Sequence, residues 1–197
     1  LEYNLDSNTT VFEMQGWYGA TYDRLVIKAE GDINKGDLEE SQTEFLWGHA
    51  VSAYWDTQLG ISLDYNGEGE NRQWLALGMQ GLAPYWFELD FTAYLGSNGR
   101  TALSAQAEYE LMISQRVVLQ SSVELLAYGK GDEINGIGKG VASMSVGMRL
   151  RYEFSRQFAP YIGIQYAGKY GETADLANAN GLSTDETSAV AGVRFWC

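Results

Sequence analysis

Cysteine occurs once, at Cys197, so no disulfide can form within the chain and none reports on a redox compartment. Histidine also occurs once, at His49. That excludes His–Cys and multi-His zinc sites and leaves a Ser-His-Asp arrangement a single place to form. No Gly-x-Ser-x-Gly string is present, and the sequence offers no usable nucleophile–base pair, so no enzyme is expected. Basic residues are scarce, with 13 Lys plus Arg against 26 Asp plus Glu and a formal net charge of −13. This balance argues against nucleic acid and anionic headgroups as partners and favours cations, although surplus carboxylates serve plain solubility equally well. No apolar run approaches the roughly 18–20 residues of a membrane-crossing helix. A charged start followed by an apolar stretch and a small-residue cleavage site is missing too. Neither absence touches strands, which cross a bilayer in about 9–11 residues and hide their signal in alternation.

What is abundant is glycine (23), tyrosine (13) and tryptophan (6), against two prolines. That mixture fits antiparallel strands with amphipathic rings at an interface. The stretch GLAPYWFELDFTAYLG, residues 81–96, shows the pattern. Phe87, Leu89, Phe91, Ala93 and Leu95 alternate with Glu88, Asp90 and Thr92, the period of a strand. Related designs recur at 52–67, 114–129 and 159–171. Strands of opposite direction are expected near 43–51, 73–82, 101–112 and 141–154. A first strand near 22–33 and a last at 187–197 bring the total to about ten. Connections alternate between tight (52–53, 83–84, 114–115, 155–157) and longer, polar, glycine-rich ones (34–40, 66–71, 130–139, 171–186), with 97–100 as the short exception. The fold predicted is all-β: an up-and-down antiparallel transmembrane β-barrel of about ten strands, with short periplasmic turns and longer external loops. Residues 22–197 form the barrel and residues 1–21 a periplasmic lead-in.

Alternation alone also fits a soluble barrel with its apolar face inward. Three observations favour apolar-out. The polar faces mix carboxylates with cations, as a buried ionic network requires. Interspersed Gly and Ser leave room inside a narrow barrel. Aromatic residues gather at strand ends: Tyr54, Trp55, Tyr85, Trp86 and Tyr161 by the tight turns, and Tyr65, Tyr94, Tyr128 and Tyr170 by the long loops. The interior network is expected to comprise Arg24, Lys28, Glu30, Glu88, Asp90, Glu108, Glu110, Glu124, Arg149, Arg151, Glu153 and Arg194. Metal candidates are few. Met144 and Met148 share a strand face and could serve Cu(I), but as apolar residues they also suit lipid. His49 could bind Cu(II) but also fits a lone interfacial histidine. Asp37, Glu39, Glu40, Glu68, Glu70, Asp132 and Glu133 place negative charge in the loops. The string GIGKG (136–140) lies in a loop rather than before a helix, so it reads as flexible loop rather than phosphate cradle.

The strings WYG, YDRL and KAEG (17–31), YWD (54–56), QGLAPYWFE (80–88), GRTAL (99–103), EYEL (108–111), RLRYEF (149–154), FAPYIG (158–163) and AGVR (191–194) together resemble the copper resistance protein B family of Gram-negative outer membranes. The resemblance covers nearly the whole chain. It implies a cell outer-membrane protein of copper tolerance that handles or exports copper together with periplasmic copper proteins, with outer-membrane lipid and copper ions as its other partners. The alternative it leaves is a non-conducting, plugged barrel that anchors a copper-sequestering segment. Members of the family carry a Met- and His-rich segment ahead of the barrel. Residues 1–15 here offer Met14 alone, so copper is expected to bind this chain only weakly. Outer-membrane barrels commonly end in an aromatic residue, where this sequence has Cys197.

Overall fold

The computed structural model describes residues 1–34, 36–67, 71–132, 135–155 and 157–196. Glu68, Glu70, Glu133 and Cys197 lie outside the described residues. Among the described residues twelve strands run in chain order: β1 (Glu2–Asn4), β2 (Thr9–Gly19), β3 (Asp23–Asn34), β4 (Asp37–Ala50), β5 (Trp55–Asn66), β6 (Arg72–Ala83), β7 (Phe87–Gly96), β8 (Thr101–Met112), β9 (Val117–Tyr128), β10 (Gly140–Tyr152), β11 (Phe158–Lys169) and β12 (Asp185–Phe195). Each pairs antiparallel with its chain neighbour, and β1 joins β12, closing the barrel. No described helix is long and apolar enough to cross a membrane.

The strand count of about ten is therefore corrected to twelve. The two further strands, β1 and β2, lie within the segment read as a lead-in. Its alternation is blurred because β2 puts Val11 and Trp17 on the lumen side and Thr10 and Gly16 on the outer side, as its register with β3 dictates. The expected loop at 34–40 shrinks to a turn, because Asp37–Gln42 go on pairing with β3. The 171–186 loop holds a helix, α1 (Gly171–Ala179). Thr173 Oγ1 accepts from the N–H of Gly138 at 2.9 Å, and Glu172 Oε2 accepts from the N–H of Lys139 at 2.9 Å. These bonds tie the two longest connections together, so the GIGKG string is held against α1.

Residues 20–22, 51–54, Pro84–Trp86, 113–116, 153–155 and 157 lie at one end of the barrel, the turn end. Residues 67, 71, 129–132, 135–139 and 170–184 lie at the other, the loop end, together with the short connections. In the Pro84–Trp86 turn, Tyr85 and Trp86 adopt φ of 66°, a left-handed conformation costly for side chains of that size. Both rings project outward.

Side-chain contacts fix which face is inside. Lys28 on β3 meets Asp90 on β7 at 2.7 Å, and Tyr94 on β7 donates to Glu44 on β4 at 2.8 Å. Arg149 on β10 reaches Glu2 on β1 at 2.6 Å. Such pairs skip intervening strands and can form only across a lumen. The apolar set faces out. Leu77 is 58% exposed and Ile162 65%, amid a continuous outer band of leucine, isoleucine, valine and phenylalanine. That band far exceeds the apolar patches tolerated in water. Inside, a small apolar cluster of Val26, Leu46 and Ala76 packs beneath Tyr94. Leu46 is 1% exposed because its register partner is Gly60, where a Cβ would overlap the backbone of Phe45 and Leu46.

Candidate functional site

The lumen is the site. Its inward positions follow from strand parity, so each charged residue is placed by the outward hydrophobic residue beside it. On β3, outward Leu25 and Ile27 aim Arg24, Val26 and Lys28 inward. Arg24 bonds Asp56 at 2.6 Å. On β10, outward Met148 and Leu150 set Arg149 and Arg151 inward.

These side chains divide into two groups. Toward the turn end, arginines and carboxylates are matched. Arg149 holds Glu2 with two bonds, at 2.6 and 2.9 Å, and also donates to Gln165 and Ser122. Arg151 holds Glu110 with two bonds, at 2.8 and 3.1 Å, and lies 3.4 Å from Glu153. Arg194 lies 3.4 Å from Glu110 and 3.8 Å from Glu108. Paired, bidentate guanidinium contacts offset the cost of drawing these charges into a narrow space.

The second group surrounds a cavity of about 500 Å³ that extends toward the loop end. Its lining includes Glu13, Glu30, Asp32, Glu40, Glu44, Asp64, Glu88, Asp90, Glu108 and Glu124, against Lys28, Arg72 and Arg194 among the described residues. Lys28 is taken by Asp90, and Arg72 lies 3.4 Å from Asp64. Glu44 receives the Tyr94 hydroxyl. Glu13 and Glu30 are register partners on β2 and β3, and Glu124 on β9 acts on both through space. No described cation forms an ion pair with Glu13, Glu30 or Glu124. Glu88 and Glu108 are register partners as well, so two carboxylates sit side by side there.

The predicted network residues Arg24, Lys28, Glu30, Glu88, Asp90, Glu108, Glu110, Glu124, Arg149, Arg151 and Arg194 all face this lumen, and Glu153 joins it through Arg151 at the turn end. The three metal candidates are not brought together. His49 is on the outer face of β4, its Nδ1 2.8 Å from Asp23 Oδ1, and Trp47 Nε1 donates to that same oxygen at 3.2 Å. Met144 and Met148 are on the outer face of β10, and β4 and β10 lie on opposite walls. Among the described residues, no group of three or more His, Cys, Asp or Glu is placed to hold a metal ion. The carboxylate oxygens of the cavity are hard donors spread over several strands, which suits loosely held cations better than selective copper ligation.

Three aromatic placements differ from expectation. Tyr94, Tyr128 and Tyr161 point inward rather than into the outer belts. Tyr94 serves Glu44, Tyr128 lies under Arg72, and the Tyr161 ring covers Gly192. Tyr54, Tyr85 and Trp86 do project outward at the turn end. The expected network omits Glu2, Glu13, Asp32, Glu44, Asp56, Asp64, Arg72 and Trp196, all of which belong to the lumen. Asp64 and Arg72 carry a usable signal, since both continue a polar face already assigned; Glu2 precedes any clear alternation.

The family described as "Copper resistance protein B precursor (CopB)" matches residues 1–197. The chain belongs to the copper resistance protein B family. It is 38% identical over 198 residues to Copper resistance protein B of Escherichia coli, covering 100% of this chain and 67% of that protein. It is 38% identical over 191 residues to the Copper resistance protein B homolog of Pseudomonas syringae pv. tomato, covering 97% of this chain and 65% of that protein. The chain thus spans about two thirds of the length of these two relatives. In fold, this copper resistance protein B barrel is similar to the NanC porin (TM-score 0.63, 13% identity, 100% of this chain and 97% of that one). It is also similar to the KdgM porin (TM-score 0.56, 12% identity, 100% and 95%). At such identities the likeness is one of fold.

Proposed function

We propose that this chain is the outer-membrane barrel of a Gram-negative copper-tolerance protein and that its lumen attracts cations, copper ions among them, through charge rather than through a built ligand set. It works without catalysis, alongside periplasmic copper proteins, and its outer band sits in outer-membrane lipid. The observation that carries the reading is the cavity of about 500 Å³ in which carboxylates far outnumber cationic groups. Walls of low dielectric and one sign of charge focus the field and raise the local concentration of counter-ions. Such accumulation is screened as ionic strength rises, with a Debye length of about 10 Å at 0.1 M.

Recordings in planar bilayers under a potassium chloride gradient test this. The reversal potential is expected to show cation preference, and Cu²⁺ is expected to reduce the potassium current at low salt and much less at high salt. Glu30→Gln with Glu124→Gln should weaken the preference. An anion-preferring lumen would overturn the reading. The arginine-filled turn end favours a second reading, in which the barrel is plugged and anchors a copper-sequestering segment; a barrel that carries no current under any condition, with variants at its narrow end equally silent, would support that one instead.

A further inference from the structure

The turn end holds a contact that the ion pairs do not account for. Trp196 follows Arg194 by two positions just past β12, and so falls on the same, lumen side. Its ring centroid lies 5.2 Å from Cζ of Arg151 and 5.1 Å from Cζ of Arg194. One indole is thus shared by two guanidinium groups. The Trp196 N–H donates to the carbonyl of Gln157 at 3.3 Å, which ties the ring's backbone to the β10–β11 connection.

The two guanidinium groups repel one another, and three carboxylates compensate. Glu110 bonds both, Glu108 lies by Arg194 and Glu153 by Arg151. The negative ring face supplies the rest of the attraction. The Arg151 side chain is 4% exposed, and its Nε has no hydrogen-bond acceptor among the described residues. The acid-lined cavity reaches Arg194 and Glu108 but not Glu110, Arg151 or Trp196. The indole thus sits on the turn side of the cavity, against the Arg194 guanidinium that lines it.

We infer that Trp196 is the closing residue of the turn-end mouth: a latch whose ring, gripped by Arg151 and Arg194, separates the acidic cavity from the compartment on the turn side. The latch deepens the conduit reading above and rests on it. Because Trp196 lies beyond the last residue of β12, its ring can swing aside without breaking the ladder between β11 and β12. Cations gathered in the cavity meet two positive charges at the latch, already held by Glu108, Glu110 and Glu153, so passage requires the indole to release the arginines.

Single-channel recordings of the refolded barrel with Trp196→Ala, Trp196→Leu and Trp196→Phe test this, with folding checked by heat-dependent gel migration. The wild-type barrel is expected to stay closed most of the time. Trp196→Ala and Trp196→Leu should each raise the mean current several-fold, whereas Trp196→Phe, which keeps an aromatic face, should stay near wild type. If Trp196→Ala fails to fold, Trp196→Leu carries the same test. Current no greater than wild type in a folded Trp196→Ala barrel would overturn the latch by placing the barrier elsewhere. A Trp196→Leu barrel as closed as wild type would overturn it by showing that bulk, not the ring–guanidinium contact, closes the mouth. An opened barrel without cation preference would support the latch and defeat the charge reading, so the two failures are distinguishable.

Discussion

The two ends of the lumen use the same contact with the partners exchanged. At the turn end, one indole meets two guanidinium groups. At the loop end, the guanidinium of Arg72 meets two rings, 5.7 Å from that of Trp74 and 5.9 Å from that of Tyr128. Yet Arg72, Trp74 and Tyr128 line the acidic cavity, while Arg151 and Trp196 are not among its lining residues. The difference is charge balance. At the turn end Arg149, Arg151 and Arg194 meet Glu2, Glu108, Glu110 and Glu153, so each of these charges has an opposite within reach and the side chains pack on one another. Around the cavity, Glu13, Glu30 and Glu124 face other carboxylates, and repulsion opposes any inward collapse. The wider part of the lumen is thus the part short of cations, and the packed turn end the part supplied with them.

This contrast can be broken from either side. The largest effect is expected where a matched pair is made unmatched. Glu2→Ala leaves the Arg149 guanidinium with Gln165 and Ser122 as its acceptors among the described residues, and should cost about 3 kcal/mol in urea-induced unfolding from lipid vesicles. A loss below about 1 kcal/mol would place this pair with ordinary surface ion pairs and remove the reason given for the compact turn end. A comparable effect is expected where the inside–outside order itself is violated. Leu77→Lys sets a charge in the middle of the outer band and should cost about 2–4 kcal/mol, whereas Gln106→Lys adds a cation to the acidic cavity and should be tolerated or mildly stabilising. Equal stability of the two variants would mean that the outer band is not what lipid covers. The smallest effect belongs to the loop end. Trp74→Phe removes the indole N–H that donates to Asp64 at 2.7 Å and should cost about 1 kcal/mol by the same unfolding measurement, while the cavity stays open and its cation preference unchanged.

Much of this architecture can be read from residues, and the reason is parity. Where a strand alternates strictly, as in Phe87–Gly96, each outward leucine or phenylalanine reveals that its neighbour is lumenal, and the charged residues of the interior follow. Parity fails where the two faces carry similar residues. That is why β1 and β2 were not apparent, with Val11 and Trp17 on the inner side of β2. It also fails for tyrosine, whose ring suits either face, so alternation does not reveal that Tyr94, Tyr128 and Tyr161 point inward. Nor does parity name partners. Lys28 and Asp90 are 62 residues apart in sequence, and only closure of the cylinder brings them to 2.7 Å. The latch at Trp196 is of the same kind: its three participants come from two strands and the residues beyond β12, and no spacing in the sequence announces them.

The ion pair between Arg149 and Glu2 has a consequence for the shape of the cylinder. Glu2 lies on β1, which pairs with β12 on one side and β2 on the other, and the guanidinium that holds it comes from β10, past β11 and β12. The wall is therefore braced from within as well as laddered along its circumference, and its cross-section near the turn end is set by a side-chain strut as much as by the backbone.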